Sequence, residues 1–171
     1  MSNLGVYGAS GHQLPSSTPY ICLKDQKTSA TEGGTFTSGA WQTRTLNTIH
    51  ADSHNLLLSL SNNQFTLPAG TYRVGIVAPA YGVDRHALRL QNITLGTTTL
   101  SGACAYALPT GSGQAAEAYI KGRIQVYTAT TFEVQHRCQS TKASNGFGLA
   151  AGTSFTVDYE VFSVAEIWRE A

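Results

Sequence analysis

From Ala118 to Cys138 the chain alternates with a strict period of two. Ala118, Ile120, Gly122, Ile124 and Val126 interleave with Tyr119, Lys121, Arg123, Gln125 and Tyr127. After Thr128-Ala-Thr130, the residues Phe132, Val134, His136 and Cys138 interleave with Glu133, Gln135 and Arg137. Successive side chains of a strand point to opposite faces, whereas a helix would repeat every three to four residues, so this pattern admits strands and excludes a helix. Two such runs joined by a short polar turn predict an antiparallel hairpin with one face in a core.

The same unit recurs along the chain. In Phe65-Thr-Leu-Pro-Ala-Gly-Thr-Tyr-Arg-Val74, Pro68 presets a turn and Gly70 suits a positive φ, after which Tyr72, Val74, Ile76 and Ala78 alternate as far as Pro79. Further strands are predicted over Tyr20 to Lys24, Trp41 to Ile49, Leu56 to Leu60, His86 to Asn92 and Leu100 to Leu108, with loops over Asp25 to Gly39, Ala80 to Arg85 and Gln139 to Asn145. In the segment Trp41 to Ile49 the set Trp41, Thr43, Thr45, Asn47 and Ile49 shares one face. Small residues at Ser101, Ala103, Ala105 and Ala107, together with Gly102, let another layer approach the Leu100 to Leu108 strand closely. Gly152 opens a last strand carrying Phe155, Val157, Tyr159 and Val161, continued by Val164 to Trp168; Glu166-Ile-Trp-Arg169 reads alternatively as a helical turn. Residues 1 to 18 show no periodicity and read as an extended arm ahead of one domain over 19 to 171. Eight to ten strands without a convincing helix predict an all-β fold, either a sandwich of two packed sheets or a closed barrel.

Composition supports this reading and narrows the functions. Charged residues are 12% of the chain, about half of the usual share, while 21 Thr, 15 Ser and 17 Gly fill polar and turn positions. A low charge fits either a hydroxyl-rich surface or one covered by partner subunits. With a net charge of +1 and basic residues scattered singly, no stripe exists for nucleic acid. The longest apolar run, Leu56-Leu57-Leu58, is far below the ~20 residues of a membrane-spanning helix. Met1 to Gly8 lacks the basic and apolar regions of a signal peptide, so the expected site of synthesis is a cytoplasm. Cys22, Cys104 and Cys138 read as small buried hydrophobes, with a single bridge left open.

Signals for catalysis are weak. His50 and His54 have a metal-ligand spacing that clusters ligands only on a helix; on a strand they lie about 13 Å apart. His136 and Cys138 are neighbours on an apolar face with no acid indicated beside them, so a core or interface histidine is the better reading. Gly111-Ser-Gly113-Gln-Ala-Ala116 matches a dinucleotide fingerprint in spacing, but a strand rather than a helix follows. Asn92-Ile-Thr94 is a glycosylation sequon that matters only in a secretory compartment, and the ten acidic residues are dispersed. Neither a metal nor a cofactor is expected, and the chain reads as not an enzyme.

The run Phe65 to Val74, the hairpin closing on Phe132-Glu-Val-Gln-His-Arg137, the Asn145-Gly-Phe-Gly148 turn and the final Val157 to Trp168 strand resemble the jelly-roll modules of bacteriophage structural proteins. More distantly they resemble the trimeric globular heads of complement C1q and tumour necrosis factor. The resemblance covers roughly residues 20 to 168 and implies a C1q/TNF-like jelly-roll β-sandwich that associates as a homotrimer. On a virion such a module decorates or cements a capsid or forms a head fibre; the alternative is the receptor-binding tip of a tail fibre that recognises a host surface glycan or protein. The implied partners are copies of the chain, capsid or other virion proteins engaged through residues 1 to 18, and in the alternative a host receptor. Tyr72, Tyr119, Tyr127, His136 and Phe147 suit a trimer interface by residue type.

Overall fold

The computed structural model describes residues 18–109, 113–155 and 157–170. Apart from Thr18, the expected arm over 1 to 18 lies outside the described residues, as does part of the Gly111 to Gly113 loop. Among the described residues eleven strands form: β1 (Tyr20–Thr28), β2 (Gln42–Thr43), β3 (Thr48–Asp52), β4 (Ser59–Ser61), β5 (Gln64–Leu67), β6 (Gly70–Tyr81), β7 (Asp84–Asn92), β8 (Thr97–Ala107), β9 (Ala115–Val126), β10 (Thr130–Cys138) and β11 (Tyr159–Arg169). Among the described residues the only helical turn is a short 3-10 segment, Ser53–Asn55.

The strands make two antiparallel sheets, one in the order β3-β1-β11-β6-β9 and one in the order β4-β5-β10-β7-β8, with β2 added on β10. Connections β5 to β6, β6 to β7, β8 to β9, β9 to β10 and β10 to β11 each cross from one sheet to the other. That interleaving is the jelly-roll form of the all-β sandwich. Ile21, Leu23, Leu67, Ile76, Leu88, Leu90, Ile120, Val134 and Ile167 fill the space between the sheets. A smaller cluster of Phe36, Ala80, Val83, Ala107 and Cys138, capped by Phe147, closes the end where β6 turns into β7.

Local sequence explains most of these elements. Tyr72 is fully buried, and its hydroxyl donates at 2.8 Å to the Pro68 carbonyl, fastening the β5–β6 corner. Gly70 is already in the strand and keeps a negative φ, so the corner is held by this tyrosine rather than by the positive φ expected of the glycine. In the Asn145-Gly-Phe-Gly148 turn, Gly148 adopts φ +147 and a Cβ there would stand 2.2 Å from the Phe162 ring. No side chain fits at that position.

The close approach expected at β8 is present. A Cβ on Gly102 would lie 2.7 Å from the carbonyl oxygen of Tyr119 on β9, a backbone atom in the facing sheet.

Four expectations are corrected. The runs Ala118 to Val126 and Phe132 to Cys138 are strands but not a hairpin: β9 pairs with β6 in one sheet and β10 with β5 and β7 in the other, so their short connection crosses the sandwich. Trp41 to Ile49 is not one strand: β2 pairs with β10 and β3 with β1, so the segment passes between the sheets and buries Arg44 and Leu46 on the way. The last strand begins at Tyr159, leaving Phe155, Tyr159 and Val161 exposed while Phe162, Ala165 and Ile167 face inward; Glu166 to Arg169 continues as strand. Cys104 lies on the outer face of β8 and is exposed; Cys22 and Cys138 are buried, and all three are free thiols.

Gly102→Ala tests the sheet approach, because the atom in the way is backbone and overpacking a tight site typically costs about 1–3 kcal/mol. Urea denaturation should show a loss of that size. An unchanged midpoint would mean that the sheets stand farther apart at β8 and β9.

Candidate functional site

The jelly roll presents two outer faces and one buried polar cluster. On the first sheet the pairing register aligns Lys24, Val164, Val77 and Tyr119 in one row across β1, β11, β6 and β9. The next row holds Cys22, Glu166, Gly75 and Lys121, and the third Tyr20, Trp168, Arg73 and Arg123. Gly75 has no side chain, so the middle of this face sinks into a hollow of about 570 Å³ bounded by Arg73, Lys121, Glu166 and Trp168. Tyr20 packs at a tilt against Trp168 and donates its hydroxyl to Glu166 at 2.7 Å. At the rim, Glu170 pairs with both Arg73 and Arg123, and the Arg123 hydrogen bond holds its carboxyl below the usual range.

β6 is therefore apolar on both sides. Tyr72, Val74, Ile76 and Ala78 fill the core, while Gly75, Val77 and Pro79 look outward. An outward phase without charges apart from Arg73 is what a sheet shows when a second surface lies on it.

The outer face of the second sheet is a polar lattice at its centre. Arg89 donates to Gln135 at 2.7 Å and lies 4.4 Å from the centre of the Trp41 ring, and Glu133 accepts from Thr43, Gln64 and Gln135. Toward the β6–β7 end this lattice gives way to an open groove of about 580 Å³ beside Trp41 and Tyr106.

Between the sheets lies the polar cluster. Arg44 has no solvent exposure; its backbone N–H donates to Val134 on β10, while its guanidinium donates to Ser163 Oγ, the Pro79 carbonyl and the Phe147 carbonyl. Burial lowers Arg44 to about 10 against the pull of Asp25, so it stays charged at neutral pH. Asp25 is itself buried and raised chiefly by that burial, and its Oδ1 lacks a partner among the described residues. Beyond Arg44, His86 Nδ1 and His136 Nε2 meet at 2.9 Å, with Phe36 tilted against His136 and stacked on Phe147. Burial, helped by the nearby Arg44 charge, pushes His86 down to about 4 and His136 well below its ordinary value. Both rings are neutral at pH 7 and face each other inside the protein.

The five residues anticipated at an interface thus separate. Tyr72 and His136 are completely buried within one chain and have no surface to offer a partner. Phe147 is half-buried against Phe36 and Arg44 at the β6–β7 end. Tyr127, 84% exposed, follows β9 at the opposite end, roughly 35 Å away along a twelve-residue strand. Tyr119, half exposed, is the one that joins the apolar row of the first sheet. Val77, Val164 and Trp168 were not anticipated, and the off-phase apolar residues of β6 were the signal for them. His50 and His54 do not converge with other ligands: no group of three or more His, Cys, Asp or Glu side chains suited to a metal occurs among the described residues.

No protein-family model matches the chain, and no curated protein matches it in sequence. Among solved structures it is similar to the globular domain of zebrafish complement 1qA protein, with a TM-score of 0.55 and 12% identity, over 91% of this chain and 98% of that one. The likeness is one of fold: a C1q-like jelly roll.

The histidine pair makes stability depend on pH. Folding lowers both values from the ordinary 6.5, so as pH falls below 6.5 the unfolded chain takes up protons that the folded chain refuses. Stability is full above that pH and declines on acidification, at up to about 1.4 kcal/mol per pH unit for each ring. Urea midpoints between pH 7 and 5 should fall, and His136→Gln should flatten the slope. A slope unaltered by that substitution would locate the proton uptake elsewhere.

Proposed function

We propose that the protein is a non-enzymatic structural module of a bacteriophage particle, a homotrimer built on the outer face of its β3-β1-β11-β6-β9 sheet that decorates or cements the capsid. The observation that carries the assembly is the row Val164, Val77 and Tyr119 beside the Gly75 hollow and Trp168, an apolar strip in the middle of a sheet face. Such a strip is covered at modest cost by a neighbouring copy of the chain in a head-to-tail contact, with Arg73, Lys121 and Glu166 supplying polar contacts at its margins. A symmetric ring about a threefold axis closes without leaving the strip open.

The particle role is supported by the resemblance of the Phe65 to Val74 run, the segment closing on Phe132 to Arg137, the Asn145-Gly-Phe-Gly148 turn and the final Val157 to Trp168 strand to phage jelly-roll modules, and by a low-charge, hydroxyl-rich composition. Residues 1 to 18 are the segment proposed to engage the shell or a neighbouring copy. The non-enzymatic reading is supported by the placement of the histidine pair, which is turned into the core and held neutral. The second reading, a receptor-binding fibre tip, draws on the open groove of the opposite sheet.

Sedimentation velocity of the purified protein should give a species of three 18.2 kDa chains, and Val77→Glu should reduce it to a folded monomer. A wild-type monomer at micromolar concentration, or a trimer indifferent to Val77→Glu, would overturn the assembly. Labelled antibody imaged on particles from the producing host should mark the head shell. Label at fibre tips would favour the receptor reading, and unlabelled particles would refute a virion role.

A further inference from the structure

The groove on the second sheet has the construction of a binding site. The register places Arg137, Ala87 and Cys104 in one outward row across β10, β7 and β8, and pairs Arg85 with Tyr106 in the next. Ala87 is small, so the middle of the floor is empty. On one side stands Trp41, its indole packed on Arg89, whose guanidinium is fixed in turn by Gln135. On the other stands the half-exposed ring of Tyr106. Two rigid aromatic rings about a shallow apolar floor offer flat contact area at low entropy cost, and about 580 Å³ lies within the range of small-molecule sites.

The charge of the groove is unbalanced. Arg85 and Arg137 are diagonal neighbours on one face, and neither is paired with an acid: Arg85 donates to the neutral Gln139, and the Arg137 side chain has no partner among the described residues. The ion pairs found among the described residues both use Glu170 on the opposite sheet. Two like charges brought together without a counter-ion favour an anionic occupant, and a guanidinium matches a carboxylate in geometry.

We infer that this groove binds an acidic sugar, with the apolar face of the pyranose ring against Trp41 and Tyr106 and its carboxylate on Arg137 and Arg85. The groove lies on the sheet opposite the assembly face, so it functions independently of the oligomeric state.

The test follows the indole N–H resonance of Trp41, assigned by its loss in Trp41→Phe, while the intact protein is titrated with glucuronate, galacturonate and N-acetylneuraminate, and separately with glucose and galactose, at millimolar concentrations. At least one acid should shift this resonance saturably while Trp168 stays fixed and the neutral sugars have no effect. Arg137→Gln should weaken binding roughly tenfold, as loss of a charge-assisted contact does. Ala87→Leu should abolish it by filling the floor, with sedimentation unchanged in both variants. The assignment is wrong if none of the three acids moves Trp41, if neutral sugars bind equally well, or if Arg137→Gln binds like the wild type.

Discussion

A guanidinium without access to water stands between the two sheets, and the β6–β7 end of the molecule is organised around it. Arg44 is attached by its backbone to β10 in one sheet and by its side chain to β6 and β11 in the other, through Pro79 and Ser163. It also holds the Phe147 carbonyl, which sets the Asn145-Gly-Phe-Gly148 turn over the smaller core. A buried charge is tolerated only when its donors are used and an opposite charge is near, here Asp25. Removing one side of such an arrangement costs about 3–5 kcal/mol, since the remaining charge is then left in an apolar interior.

The same segment links the interior to the surface. Arg44 is drawn inward three residues after Trp41, and β2 between them is pinned to β10, so the anchoring of the arginine fixes the indole on the outer face above Arg89. The core anchor and one wall of the groove are thus parts of a single stretch of chain. The two sheets then divide the surface. The first carries an apolar strip about a glycine hollow, suited to copies of the protein; the second carries a polar lattice that ends in a cationic aromatic groove, suited to a small acidic ligand.

Much of the architecture was legible in the sequence because period-two alternation is a direct consequence of strand geometry. The strands β9 and β10, the Phe65 to Val74 corner and the glycine-dependent turn at Gly148 all follow from local pattern, whereas the pairing of β9 with β10 expected from their short connection does not occur, because each strand joins a different sheet. Arg44 was not legible, since an arginine in an alternating segment is ordinarily turned to solvent and only long-range partners from β6, β11 and the Phe147 turn reverse this. The strand over Trp41 to Ile49 was misread for the same reason: its two ends join different sheets. The phase of β11 was misjudged because Phe155, Tyr159 and Val161 are apolar yet exposed, and because Phe162 and Ser163 are buried consecutively. Residue type alone left Tyr72 and His136 open to core or interface; a hydrogen bond to Pro68 and a pairing with His86 satisfy them in the core.

In the proposed assembly, copies of this chain meet through the outer face of the β3-β1-β11-β6-β9 sheet. Lysine cross-linking of a mixture of isotopically light and heavy protein reads this directly, since links that join the two isotopes arise only between chains. Mixed-isotope links should involve Lys121 and Lys24, which lie on that face, while Lys142, beside Tyr81 at the β6–β7 end, should form links within one chain only. Mixed links confined to Lys142, or none at all, would contradict the account.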